Sequence, residues 1–172
     1  LLGTPQAARH AALLRQETAR LPEKLEGRRI LWMHTLPHWQ SSMHEILCLS
    51  GRCEVVSCDM TFDGLSSAID PDRPYESMAR RLVESGYNGG ARRRVGRALE
   101  MAKALNCHGV IYFCHWGCKQ TSGAAQYAKQ TLEAAGFPTL VLDGDGCDSG
   151  NVNDGQMVTR LQAFLEQLEG QA

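Results

Sequence analysis

The residues best suited to chemistry fall in one short stretch, Cys114-His115-Trp116-Gly117-Cys118-Lys119. It follows the apolar run Gly109-Val110-Ile111-Tyr112-Phe113, whose β-branched and aromatic content reads as a buried strand. Thr121-Ser122-Gly123 then opens a helical pattern. Thiol and imidazole groups between a strand and a helix suit a metal, an iron–sulfur cluster or a nucleophile. Cys118 stands a few residues ahead of the helix and beside Lys119, where the helix dipole and a cation both favour the thiolate. It is read as a ligand or a reactive group. Cys114 closes the strand and reads as a small buried hydrophobe. For His115 two readings stay open, a strand-end hydrogen bonder and a working partner of Cys118.

A second polar run, Asp143-Gly144-Asp145-Gly146-Cys147-Asp148, follows another apolar segment. It lacks the later bidentate Glu of a calcium loop, so an EF-hand is set aside. Its glycines let the backbone approach a ligand closely, and Cys147 is a plausible second ligand. His34 and His38 are read as structural. The pair Cys114 and Cys118 with one His does not meet zinc-finger spacing. No P-loop, no GxGxxG after the first strand, no GxSxG elbow and no HExxH helix occurs.

These groups need a scaffold that gathers them. Residues 29–34 read as a first strand, 53–59 as a second, 109–114 as a third and 138–142 as a fourth. Helical patterns lie between and after them, over 40–49, 75–85, 91–105, 123–135 and 154–168. Such alternation predicts a parallel sheet. The expected fold is α/β, a three-layer Rossmann-like or flavodoxin-like domain with a four-stranded parallel sheet in the order 2-1-3-4. In such sheets the carboxyl ends of the strands carry the site. That edge would collect His34, Asp59, Cys114, His115, Cys118, Lys119 and the 143–148 run. Residues 1–27 read as a connecting helix and 28–172 as the α/β domain of a longer subunit, an expectation prompted by the start at Leu1.

Composition narrows the classes. The 172 residues are 43% hydrophobic and 22% charged with net charge −1, which offers no electrostatic case for nucleic acid or an anionic membrane. No run reaches the roughly 18–20 apolar residues of a membrane span. Arg92-Arg93-Arg94 reads as a solvated helix face. Seven scattered cysteines are an odd number and point to reduced thiols in a cytoplasm. Cys48, Cys53, Cys58 and Cys107 read as small, buried or half-buried hydrophobes.

Three elements together resemble the 2-hydroxyacyl-CoA dehydratase component D/benzoyl-CoA reductase-type subunit family. They are His115-Trp116-Gly117-Cys118-Lys119 with Thr121-Ser122-Gly123, Leu140 to Asp145, and Asn153-Asp154-Gly155-Gln156 with the helix after it. The resemblance covers most of the chain from about residue 28. It implies a [4Fe-4S] cluster held by three cysteines, and a radical dehydration of a 2-hydroxyacyl-CoA. It also implies two partners, a second dehydratase subunit and an ATP-dependent activator that supplies the electron. Carried onto this chain, Cys118 becomes the cluster cysteine, His115 and Lys119 its flanking catalytic groups, and Asp143 and Asp145 the acidic strand end. Cys147 becomes an additional cofactor ligand. The expectation is a domain that folds alone but holds an incomplete cluster. The rivals are an iron–sulfur reductase or electron relay, a docking domain, and a thiol enzyme using Cys118.

Overall fold

The computed structural model describes residues 4–21, 27–37, 40–61, 65–151 and 154–170. His38, Trp39 and Asn153 lie outside the described residues. Four strands form one sheet: β1 Arg28–Met33, β2 Cys53–Cys58, β3 Gly109–His115 and β4 Thr139–Gly144. All pairings are parallel and the order is β2-β1-β3-β4, as the alternation predicts. The helices are α1 Pro5–Thr18, α2 Ser41–His44 running on into a π turn at Glu45–Leu49, α3 Pro74–Glu84, α4 Ala91–Ala104, α5 Lys119–Ala134 and α6 Asp154–Glu169.

The period of two in β1 and β3 divides the core into two layers. Ile30, Trp32, Ile111 and Phe113 face one side and meet Met43 of α2, Leu47 of the π turn, and Leu161 and Leu165 of α6. Leu31, Met33, Val110 and Tyr112 face the other and meet Val95, Ala98, Ala128 and Leu132 from α4 and α5. Being covered on both faces, the two central strands are near-continuous apolar runs. Gly109 lets α6 come close, because a Cβ there would lie 2.9 Å from Phe164 Cζ and 3.0 Å from Leu168 Cδ1. Asp154, at the first turn of α6, accepts from the Gln40 side chain and from the Ser42 hydroxyl, which ties α2 to α6.

Two boundaries differ from the sequence reading in ways that matter. The helix after β3 starts at Lys119 and makes Cys118 its N-cap residue, not a position several residues ahead. Strand β4 runs to Gly144, so Asp143 belongs to the strand. Among the described residues, no helix is long and apolar enough to cross a membrane.

Candidate functional site

The strand order reverses between β1 and β3: the chain runs outward from β1 to β2 and from β3 to β4. A crevice at the carboxyl ends of such a pair is where open α/β sheets place ligands. Here the rings of His34, after β1, and His115, closing β3, stack at 6.4 Å with a 21° interplanar angle. His34 has φ of +78°, a left-handed conformation that strains a non-glycine residue. Its N–H donates to Asp59 Oδ1 at 2.7 Å, which holds that conformation. Burial, aided by the nearby Arg94 charge, lowers the His34 pKa, so the ring is neutral at pH 7.

Asp59 is in turn held by Arg94, whose Nε and Nη2 both donate to Asp59 Oδ2, at 2.9 and 2.8 Å. Both side chains are 3% exposed. The guanidinium also bonds the Tyr87 hydroxyl at 3.1 Å and lies 4.7 Å from the centre of that ring. The reading of Arg92-Arg93-Arg94 as a solvated face is therefore corrected at Arg94, while Arg92 and Arg93 are exposed. A signal was present. Arg94 precedes Ala98 by four residues and so shares the apolar face of α4 with Ala98, Met101 and Ala102. A cation on such a face calls for a buried carboxylate partner. A cleft of about 440 Å³ opens beside the pair, between the end of β2 and α3–α4, with Asp59, Tyr87, Arg94 and Arg97 in its wall. Its wall includes neither His115 nor Cys118.

Cys118 is half-buried at the N-terminus of α5. The Thr121 hydroxyl and the backbone N–H groups of Thr121 and Gln120 stabilise the thiolate, which lowers its pKa below the usual thiol value. The same hydroxyl donates to the Cys118 carbonyl at 3.0 Å, and its single proton serves one acceptor at a time. The other cysteines contrast with this. Burial pushes the Cys53 thiol up to about 12 and Cys107 to about 11, and raises Cys58. Cys114 is buried and donates its S–H to the Ser122 hydroxyl. Cys48, expected buried or half-buried, is exposed because it sits on the outer side of the π turn that follows α2. Iodoacetamide should therefore alkylate Cys118 with a rate midpoint below that of an ordinary thiol, roughly pH 8.5. Thr121→Val should move that midpoint upward; an unchanged midpoint, read by mass spectrometry of the modified peptide, would exclude this role for Thr121.

His115 faces the 143–148 run. Its Nδ1 accepts the Gly146 N–H at 3.1 Å, which puts the neutral ring's proton on Nε2. Asp145 Oδ1 lies 3.7 Å from the same Nδ1. Asp145 Oδ1 also accepts the N–H groups of Cys147 and Asp148, at 2.8 and 3.1 Å, and Asn151 reaches its Oδ2 at 3.3 Å. These bonds, led by the Cys147 N–H, lower the Asp145 pKa. Gly146 is required here, since a Cβ would come 2.9 Å from Thr35 Oγ1. His115, Asp145 and the exposed Cys147 thus come together, with ligand atoms all within 4.8 Å of one another. Asp143 stands apart: it is exposed and its carboxylate pairs with Arg160 of α6 at 3.1 Å. Lys119 is exposed on the first turn of α5.

The sequence pattern of the family described as 2-hydroxyglutaryl-CoA dehydratase, D-component, matches residues 1–168. The chain belongs to that family. It is a 2-hydroxyacyl-CoA dehydratase-like subunit, as the three resembling elements imply. No curated protein matches the chain. The dehydratase pattern takes in α1 as well as the sheet domain.

Proposed function

We propose that the chain serves an iron–sulfur subunit of a radical 2-hydroxyacyl-CoA dehydratase and that Cys118 supplies one ligand to its [4Fe-4S] cluster. The observation that carries this is a thiol with a lowered pKa, half-exposed at a helix N-terminus on the ligand-binding edge of the sheet. When bound, such a cluster supplies single electrons at low potential.

The donor chemistry supports one corner of the cluster. A cluster takes about four ligands, normally thiolates. Among the described residues, Cys53, Cys58, Cys107 and Cys114 are buried, and Cys48 and Cys147 are exposed. Burial raises the thiol pKa of Cys53, Cys58 and Cys107, whereas that of Cys118 is lowered toward the thiolate. The remaining corners therefore come from residues outside this set, consistent with work alongside a second subunit and an ATP-dependent activator. Within residues 1–27, α1 acts as a connecting helix in this reading, since it buries none of its described residues. The crevice residues have their own tasks. His115 and Lys119 stand three residues before and one residue after Cys118, where a hydrogen bond and a positive charge tune the potential of a bound cluster. His34 stays neutral against His115, and two residues back along the same strands Trp32 and Phe113 stack in the buried layer under α6.

The test is anaerobic reconstitution of the intact dehydratase complex with iron and sulfide. Cys118→Ala should abolish the cluster absorption assigned to this subunit, while far-UV circular dichroism stays that of the folded chain. A stoichiometric [4Fe-4S] spectrum that survives Cys118→Ala would overturn the assignment.

A further inference from the structure

A second set of donors, beginning at His115 whose carbonyl accepts the Cys118 N–H at 2.9 Å, does not include the Cys118 sulfur, and its chemistry is that of a mononuclear metal site. It combines an imidazole nitrogen, a carboxylate oxygen and a thiol sulfur, from the end of β3 and the loop after β4. That mixture suits borderline ions, whereas calcium and magnesium take oxygen alone. The register explains why the set forms: His115 pairs directly with Gly144, so the two residues after β4 that carry Asp145 and Gly146 must pass the imidazole.

The electrostatics point the same way. The His115 Nδ1 that accepts the Gly146 N–H and the Oδ1 of Asp145 face each other at 3.7 Å, with the Gly144 carbonyl 3.4 Å from the same nitrogen. Three acceptors around one point repel unless a positive centre sits among them. The Gly146 N–H, at 3.1 Å from Nδ1, supplies part of that positive charge, and a cation supplies more. Geometry then sets the required movement. Tetrahedral zinc bonds of about 2.0–2.3 Å put ligand atoms roughly 3.3–3.8 Å apart. The three atoms, within 4.8 Å of one another, need draw together by about 1 Å. Asp145 is already oriented by the Cys147 and Asp148 N–H groups, and Cys147 is exposed on a loop that can deliver its sulfur.

We propose that His115, Asp145 and Cys147 bind one borderline divalent transition-metal ion, zinc(II) or iron(II), through Nδ1, a carboxylate oxygen and Sγ. Binding releases the Cys147 thiol proton to solvent and exchanges the Gly146 N–H contact for a metal bond. Three protein ligands leave a fourth position for water or a substrate oxygen. The site does not use the Cys118 sulfur, although it shares His115 with the cluster reading, so the two are told apart at Cys118 and Cys147.

Cobalt(II) is the probe, added to the whole chain under anaerobic, thiol-free reducing conditions. One equivalent should bind, with the intense visible bands of tetrahedral cobalt and a sulfur-to-metal charge-transfer band, and zinc(II) should displace it. Cys147→Ser should erase the charge-transfer band and weaken binding at least about tenfold, and Asp145→Asn should weaken it comparably. Cys118→Ala should leave both unchanged. Because Cys147 is exposed, its substitution leaves the core intact, and an unaltered near-UV circular dichroism spectrum verifies that. Absence of stoichiometric binding, a charge-transfer band that persists in Cys147→Ser, or its loss in Cys118→Ala would each overturn the proposal. The first two outcomes leave the reading of Cys118 as a cluster ligand untouched.

Discussion

Asp59→Asn is expected to destabilise the folded chain by about 3–5 kcal/mol, read as a shift of the urea unfolding midpoint at constant slope. The substitution keeps an oxygen for the His34 N–H but leaves the Arg94 guanidinium, 3% exposed, without its counter-charge. Arg94→Met should cost a similar amount, because it strands a carboxylate in the same enclosure. The two losses are not additive. In the double variant both charges are gone while the His34 acceptor remains, and its stability should return to within about 1–2 kcal/mol of the wild type. Arg94 Nη1 has no hydrogen-bond partner among the described residues, so the pair carries a desolvation penalty that a methionine removes. A double variant as unstable as the sum of the singles would show that the pair is not coupled.

Trp32→Ala should cost about 3–5 kcal/mol by the same measurement. The indole is fully buried and stacks on Phe113 with centroids 5.8 Å apart, so its removal opens a cavity beneath the crevice. Trp32→Phe separates two contributions. It keeps an aromatic ring in the layer but deletes the Nε1–H bond to the Thr35 carbonyl at 3.0 Å, which holds the segment after β1. The expected loss is about 1–2 kcal/mol, with faster amide exchange at His34 and Leu36. Exchange at those amides equal to wild type would show that the segment is held by other means.

The pattern of apolar runs and helical stretches was enough to give the sheet order, because two buried central strands leave a short repertoire of parallel arrangements. The grouping of His115 with the 143–148 run was legible for the same reason. What the sequence concealed were partnerships over long separations. Arg94 looks like one of three surface arginines until β2 brings Asp59 to the inner face of α4, 35 residues away in sequence. Thr121 looks like part of a helix start, and the helix geometry alone turns its hydroxyl toward Cys118. Asp143 and Asp145 look equivalent in the sequence. The alternation along β4 sends the first toward Arg160 of α6, and only the second, past the strand end, reaches His115.

The strand order also governs how the crevice comes into being. The units β1-α2-β2 and β3-α5-β4 each close over a short stretch of chain, so each forms early at little loop entropy. Joining them is another matter: the bond from the Arg29 N–H to His108 Nδ1, beside the β1–β3 register, spans 79 residues. That closure brings His34 to His115, and the docking of α6 against α2, across the 114 residues between Gln40 and Asp154, is longer still. The two halves can acquire their secondary structure beforehand, but the ligand-binding edge exists only after the loop between β1 and β3 has shut. Substitutions at the β1–β3 seam should therefore act on the folding rate, while those in α6 or α5 act mainly on unfolding.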